Sequence, residues 1–177
     1  AGGICGVRFN FVAHLGGRPD MAAFARVVAR LPALGMHLVL HLDAKDIEEL
    51  APMCRTLPVP FIIDHMGRVE ARFGLDQPPF RALLELMRLP NAWVKVCGSE
   101  RVSSMGPPFT DSAPFAEKLI EVAPERVLWG TDWPHPNVKV MPNDGDLVDL
   151  VPLFARDAAA QRRVLVDNPE RLYDFTA

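Results

Sequence analysis

Strand-like and helix-like segments alternate along this chain, and this alternation constrains its fold more than any other feature. Short runs of β-branched or bulky apolar residues, typical of buried strands, occupy residues 4–11, 37–42, 61–64, 92–98 and 126–131. Apolar residues recur at helical spacing in residues 20–34, 44–57, 80–89, 113–122, 146–156 and 158–175. Asp20 is the predicted N-cap of the first of these helices. Such alternation predicts an α/β fold built from βα units around a parallel sheet.

The loops at the two ends of the predicted strands differ in length. Links from helix to strand are short and marked by proline, as in "TLPVP" and "RLPNA". Several links from strand to helix are much longer, including "DHMGRVEARFGLDQPPF" and "SERVSSMGPPFTDSAP". Function in parallel α/β folds gathers at the C-terminal ends of the strands. Long loops on that edge alone therefore indicate an enzyme site.

The length of the chain limits the architecture. Its 177 residues hold about five βα units, whereas a closed eight-stranded barrel takes about 250 residues. The alternatives are an open five-stranded sheet and the C-terminal portion of a TIM-type (β/α)8 barrel. The sequence begins almost directly on a strand, which favours the barrel portion with its N-terminal strands absent. Because a partial barrel exposes unpaired sheet edges, we expect it to fold poorly alone and to be inactive.

Charge and hydropathy argue against several classes of protein. The net charge is −3 and the basic residues are scattered, so the clustered basic face of a nucleic-acid-binding protein is missing. No apolar run approaches the roughly 18 residues of a membrane span. No signal peptide is visible after Ala1, and we expect a cytoplasmic protein. Cys5, Cys54 and Cys97 are widely spaced and are expected to be buried thiols.

Polar and charged side chains follow every predicted strand, at the edge where the long loops begin. In chain order they are Arg8, Asn10, His14, Arg18, His41, Asp43, Asp64, His65, Arg68, Ser99, Glu100, Arg101, Ser103, Asp132 and His135. Because parallel strands end at the same edge of a sheet, we expect these side chains to share one rim.

Asp132 and His65 are the candidates for catalysis on this rim. A carboxylate opposed by an imidazole can remove a proton from water, although an aspartate after a strand can also simply cap a turn. The position of His65 on the rim favours a function, while His41 is evenly balanced between a functional and a structural role. His135, between two prolines, is interpreted as a residue that shapes its loop. Lys95 either lines the interior or extends outward and is assigned no role.

Three arginines indicate the charge of the ligand. Arg8 interrupts an otherwise apolar strand, and Arg68 and Arg101 lie just past strand ends. Guanidinium groups bind carboxylates through two parallel hydrogen bonds, so three of them at one opening suit a dianionic substrate. The alternative is that each arginine pairs with a nearby acid, such as Glu100 or Asp64.

Several motifs taken together resemble one known family. These motifs are "GVRFNF", "DHMG", "WVKVCGSERVS", "GTDWPHP" and "NPERLYDF". The chain resembles the amidohydrolase superfamily (amidohydrolase family 2), in the branch of 2-pyrone-4,6-dicarboxylate lactonases and related sugar-lactone hydrolases. The resemblance implies a (β/α)8 barrel in which the five strands here correspond to strands four to eight. Residues 1–177 would then form one partial barrel domain.

The resemblance also implies roles for individual residues. His65 matches the histidine that ends strand six, and Asp132 matches the strand-eight aspartate that activates water. Arg8 and Arg101 match arginines that hold the substrate carboxylates, and Arg68 matches another arginine of the active site. The implied function is hydrolysis of a small carboxylated lactone, with Asp132 as the general base on water, in the catabolism of aromatic compounds.

His14 and His41 are further candidates for substrate binding. His14 stands about where dicarboxylate enzymes of this branch carry a second arginine. Either Arg18 compensates for that difference, or the substrate is not the same dicarboxylate.

The resemblance bears on metal binding as well. Most amidohydrolases hold a divalent ion with a His-x-His pair from strand one and the strand-eight aspartate, and that pair has no counterpart in this chain. The branch resembled here works without a metal, so no cofactor is expected. If zinc or manganese is present, His65 and Asp132 would bind it.

Three functions are therefore considered. The first is a metal-independent lactonase, and the second is a zinc- or manganese-dependent amidohydrolase acting on a sugar lactone or an amide. The third is a non-catalytic α/β module that binds a small acid. An upstream coding sequence with a strand ending in His-x-His would complete the site and argue against the third.

Overall fold

The computed structural model describes residues 3–138 and 140–175. Within them lie five strands: β1 (Gly6–Asn10), β2 (His37–His41), β3 (Phe61–Ile63), β4 (Ala92–Lys95) and β5 (Val127–Leu128). All pair in parallel and in sequence order. Parallel neighbours need crossover connections, and helical segments supply each one. The predicted α/β class with a parallel sheet is confirmed.

Helices connect the strands and also follow the last strand. They are α1 (Met21–Val28), α2 (Leu31–Leu34), α3 (Ala44–Cys54), α4 (Pro78–Leu86), α5 (Ser99–Val102), α6 (Ala113–Val122), α7 (Asp144–Asp149), α8 (Val151–Phe154), α9 (Ala158–Arg162) and α10 (Asn168–Tyr173). The Asp20 carboxylate accepts hydrogen bonds from the backbone N–H groups of Ala22 and Ala23, at 2.8 and 3.4 Å. The predicted N-cap of α1 is therefore confirmed.

Three helices predicted as continuous are divided. Residues 20–34 form α1 and α2, residues 146–156 fall in α7 and α8, and residues 158–175 form α9, a π-helical turn and α10. In each case a proline lies in the first turn of the later helix, at Pro32, Pro152 and Pro169. A residue without a backbone N–H is favoured in the first turn of a helix, where no hydrogen bond is lost, so each of these prolines marks the start of a new helix. The apolar spacing continues across these prolines and so conceals the breaks.

The sheet buries apolar side chains on both faces. One face packs against the helices and contributes Leu38, Leu40, Phe61, Ile63, Val94 and Val127 to the main core. The opposite face carries a smaller cluster of Val39, Ile62, Trp93 and Leu128, against which Leu172 and Tyr173 of α10 pack. Side chains alternate along a strand, so Asp64 and Lys95, two residues after Ile62 and Trp93, lie on this second face.

The cysteines meet the prediction only in part. Cys54 and Cys97 are buried, but Cys5, which directly precedes β1, is exposed. The expectation of a buried thiol is therefore wrong for Cys5. All three cysteines lie in the described residues and are free of disulfides. No helix in this part of the chain is both long and apolar enough to cross a membrane.

Candidate active site

One small cavity at the C-terminal ends of the strands brings the predicted site residues together. Its volume is about 80 Å³, and it is lined by all seven of them: Arg8, His14, His41, His65, Arg68, Arg101 and Asp132. Leu15, Pro136 and Asn137 complete the lining. The shared rim expected from the parallel strands is therefore present.

Asp132 lies in the loop after β5 with a left-handed backbone, at a φ of 68°. This conformation costs a residue other than glycine roughly 1–3 kcal/mol, so contacts must hold it. Oδ2 of Asp132 accepts hydrogen bonds from Nη2 and Nε of Arg101, at 2.7 and 3.2 Å, and Nη2 also donates to the Pro136 carbonyl at 2.9 Å. His135 is buried, with Nε2 2.9 Å from Oδ1 of Asp144. Arg101 and His135 thus fix the loop that carries Asp132.

His65 sits in a tight turn that follows β3 directly. His65 and the three residues after it all have positive φ. Its Nδ1 lies 3.1 Å from Sγ of Cys97, and its Nε2 lies 3.8 Å from Oδ1 of Asp132. Gly98 packs so closely that a Cβ there would stand 3.0 Å from Nδ1. Burial lowers the pKa of His65 from 6.5 to about 4, so the ring is neutral at pH 7.

The His41 ring packs edge-on against the ring of His65. The two ring centroids are 5.0 Å apart, and neither ring nitrogen of His41 has a partner among the described residues, although both nitrogens are buried. Burial, followed by the neighbouring His65, lowers the pKa of His41 to about 4. A buried polar group without a partner is rare in folded proteins, and this one borders the cavity. His14, in contrast, is exposed at the mouth.

Each of the three arginines pairs with an acid, as the alternative interpretation held. Nη2 of Arg8 lies 2.9 Å from Oδ2 of Asp64, and Nε of Arg68 donates to Oδ1 of Asp43 at 2.9 Å. The partner of Arg68 is therefore Asp43, which the sequence did not single out for this role. The Arg8 side chain keeps 52% of its surface exposed. Pairing thus orients Arg8 without removing it from the cavity.

Glu100 is a buried carboxylate next to Arg101. Its side chain is 1% exposed, and Nε of Arg101 lies 3.2 Å from Oε1. That approach lacks hydrogen-bond geometry, so neither oxygen of Glu100 has a hydrogen-bond partner in the described part of the chain. Burial raises the pKa of Glu100. Arg101 is therefore flanked by two carboxylates, of which only Asp132 accepts hydrogen bonds from it.

Lys95 belongs to the site although sequence reasoning gave it no role. Its Nζ forms an ion pair with Oδ1 of Asp64 at 2.8 Å. Together with Arg8 and Asp132, these two residues line a larger neighbouring cavity of about 350 Å³, a size found in small-molecule sites. The sequence feature that could have placed Lys95 in the site is the alternation of side chains along a strand, since Lys95 follows the buried Trp93 by two positions and so lies on the same face.

The donors present supply only part of a metal site. Among the described residues, no cluster of three or more His, Cys, Asp or Glu side chains could hold a metal ion. His65 and Asp132 offer one nitrogen and one carboxylate, whereas a catalytic zinc usually has three protein ligands. These two residues therefore do not form a complete metal site by themselves.

Comparisons with known proteins place the chain in a family. A family model described as amidohydrolase matches residues 1–175. The chain is 48% identical to 4-sulfomuconolactone hydrolase from Hydrogenophaga intermedia, over 99% of the chain and 59% of that protein. It is 43% identical to 2-pyrone-4,6-dicarboxylate hydrolase from Comamonas testosteroni, over 97% of the chain and 59% of that protein.

A solved structure shares the fold. It is described as a probable 2-pyrone-4,6-dicarboxylic acid hydrolase from Acinetobacter baumannii with citric acid bound. The TM-score is 0.83 at 25% identity, over 97% of this chain and 65% of the other. The chain spans about three fifths of the curated relatives it matches, in agreement with a portion of a (β/α)8 barrel. By sequence and by fold, the chain belongs to the amidohydrolase family.

Proposed function

We propose that this chain carries the base and the anion-binding half of an enzyme that hydrolyses a small carboxylated lactone. The observation that carries the proposal is the single cavity in which Asp132 and His65 meet three arginines. Curated relatives that are named for lactone hydrolysis support it. The single partial-barrel domain over residues 1–177, the role in aromatic catabolism and the cytoplasmic location stay predictions.

The proposed reaction starts with Asp132 as the general base. Asp132 takes a proton from water while the water oxygen bonds to the carbonyl carbon of the ring ester. The bond between that carbon and the ring oxygen then breaks, and Asp132 returns the proton to the departing oxygen. His65 is neutral at pH 7, so Nε2 can donate a hydrogen bond to the developing oxyanion. This donation requires the Nε2–H tautomer, which the contact with Cys97 would help to set.

The arginines supply the proposed specificity for anionic substrates. Arg8 and Arg101 are proposed to bind substrate carboxylates, with Arg68 next to them on the same cavity wall. His14 and His41 complete the proposed binding surface, and His14 stands about where a dicarboxylate enzyme of this branch carries an arginine. We therefore propose a lactone with an acidic substituent, and the substrates named for the two relatives, 4-sulfomuconolactone and 2-pyrone-4,6-dicarboxylate, form the first test panel.

Replacing Asp132 tests the base. The measurements use the protein translated from the complete reading frame that contains this sequence. Asp132→Asn keeps the shape and tolerates the left-handed backbone, and we expect kcat to fall by about 10²–10⁴-fold while substrate affinity changes little. Asp146→Asn, on the exposed surface of α7, is the matched control. Normal turnover of the lactone panel by Asp132→Asn would show that the base is assigned wrongly.

Replacing Arg101 tests anion recognition. We expect Arg101→Ala to raise KM for carboxylated lactones by about 10-fold or more, since hydrogen bonds to charged groups contribute about 1.5–3 kcal/mol. KM for an uncharged lactone should change far less. An equal increase for both substrates would contradict the proposed role of Arg101.

We propose a reaction without a metal because His65 and Asp132 supply two of the three protein ligands that a catalytic zinc usually has, and no larger cluster of such side chains occurs among the described residues. Metal analysis of the purified protein, combined with turnover before and after chelation, separates this proposal from a zinc- or manganese-dependent amidohydrolase. Loss of turnover on chelation, restored by one of these ions, would favour the metal-dependent reaction. A protein that binds citrate but converts no lactone or amide would favour the non-catalytic binding module.

A further inference from the structure

Three charged side chains form a chain of ion pairs across the second face of the sheet. Lys95 Nζ lies 2.8 Å from Oδ1 of Asp64, and Asp64 Oδ2 lies 2.9 Å from Nη2 of Arg8. The Asp64 side chain is 3% exposed, that of Lys95 is 29% exposed, and that of Arg8 is 52% exposed. Solvent access therefore increases from the central carboxylate outward to both cations.

The central carboxylate needs a cation, but it does not need two. A buried carboxylate without a partner is strongly unfavourable, and Arg8 alone would neutralise the charge of Asp64. Lys95 adds a second cation, so the group carries one excess positive charge. Burial raises the pKa of the Asp64 carboxyl, but Lys95, His65 and Arg8 together lower it by more, so its pKa stays below the usual value. The excess charge faces the cavity of about 350 Å³ that all three residues line.

We propose that Lys95 is a positioning residue for anion binding. It holds one oxygen of Asp64, so that the other oxygen stays on the Arg8 guanidinium and keeps the remaining N–H groups of Arg8 directed at the cavity. The excess positive charge is balanced when an anionic group of the substrate binds Arg8. This inference rests on the proposed binding of carboxylates by Arg8, and it assigns a function to a lysine in the fourth strand that otherwise has none.

The test measures citrate binding by calorimetry, in the protein from the complete reading frame. We expect Lys95→Met, which removes the ion pair with Asp64, to weaken citrate binding by about 10-fold, equivalent to about 1.4 kcal/mol. Arg8→Met should weaken it at least as much, and the double variant should bind no more weakly than Arg8→Met alone. Lys95→Arg should restore most of the affinity. Lys118→Met, which removes an exposed lysine paired with Glu121, is the matched control.

Asp64→Asn separates positioning from simple attraction between charges. This variant makes the site more positive by one charge, so a pure charge effect predicts tighter citrate binding. Positioning through Asp64 predicts weaker binding, because neither cation is then held by the carboxylate. Tighter binding by Asp64→Asn, additive effects of Lys95→Met and Arg8→Met, or no binding of citrate by the unchanged protein would each overturn the proposal.

Failure of the role proposed for Lys95 can be distinguished from failure of the proposed lactone hydrolysis. Citrate binding requires no turnover, so it reports on Lys95 even in a protein that opens no lactone. If the unchanged protein binds citrate with the expected dependence on Lys95 but hydrolyses no lactone, the lactonase is wrong and the positioning role stands.

Discussion

A methyl group added at Gly98 tests how firmly the fold aims His65. Gly98 precedes α5 with φ and ψ of 72° and 34°. A Cβ built there stands 3.0 Å from Nδ1 of His65, 3.2 Å from its Cβ and 3.3 Å from its Cγ. Gly35 has nearly the same backbone conformation, at 62° and 26°, but nothing lies within 4 Å of its added Cβ. Of the two added methyl groups, the one at Gly98 would therefore contact His65, whereas the one at Gly35 would have space around it.

The two variants share one cost and differ in another. A left-handed conformation costs an L-residue about 1–2 kcal/mol, and the loss of chain freedom in the unfolded state offsets about 0.4–1 kcal/mol of it. Both variants should therefore lose up to about 1.5 kcal/mol from this source. Gly98→Ala also forces His65 to shift by a few tenths of an ångström, and such overpacking costs about 1–3 kcal/mol more.

Urea denaturation and kcat together measure this effect. The free energy of unfolding should fall by about 1–3 kcal/mol more in Gly98→Ala than in Gly35→Ala. Since a displacement of 1 Å can reduce a rate by about 100-fold, a shift of a few tenths should reduce kcat several-fold in Gly98→Ala alone. Equal denaturation midpoints and equal kcat values in the two variants would refute the argument that Gly98 fixes His65.

Three other perturbations give separate checks. Asn168→Ala removes hydrogen bonds of 3.0 and 2.8 Å from a fully buried amide to two backbone carbonyls, and its unfolding free energy should fall by about 2–3 kcal/mol in urea. His41 and His65 each have a pKa lowered from 6.5 to about 4. Between these pH values the two side chains therefore bind fewer protons in the folded protein than in the unfolded chain. Stability should therefore fall as pH drops from about 6.5 to about 4, and fall less in His41→Phe. The raised pKa of Glu100 acts in the opposite direction, because the folded protein then binds more protons than the unfolded chain. The contribution of Glu100 to stability is therefore lost as pH rises, and Glu100→Gln should raise the unfolding free energy at pH 7 but not in acid.

The position of the site could be predicted because it follows from the topology of the chain. Asp132, His65 and Arg101 each come just after an apolar run, and parallel strands bring their carboxyl ends to one edge. No knowledge of individual contacts is needed for this step. The same logic located His14 and His41 on the lining of the same cavity.

The sequence suggested Asp64 and Glu100 as partners for the arginines, but it could not assign every pair of charges, because the pairing depends on distances between segments far apart in the chain. Arg68 finds Asp43, 25 residues away, and Lys95 pairs with Asp64, which lies on the neighbouring strand connection. The period of two along β4 places Lys95 on the same face as Trp93, but it does not show which acid of a neighbouring segment lies within reach. The left-handed backbone of Asp132 was likewise hidden, since most residue types avoid that conformation and nothing local in the sequence demands it.

The contact between Arg101 and Asp132 has a consequence for the proposed substrate. Nε and Nη2 of Arg101 donate to Oδ2 of Asp132, and each of these bonds occupies electron pairs that the base would offer to water. A substrate carboxylate that binds Arg101 competes for the same donors and so loosens their hold on Asp132. An anionic substituent would then promote catalysis as well as binding. Compared with an anionic lactone of equal ring reactivity, an uncharged lactone should accordingly show a lower kcat as well as a higher KM. If Arg101 serves only as an anchor, the two lactones should differ in KM alone.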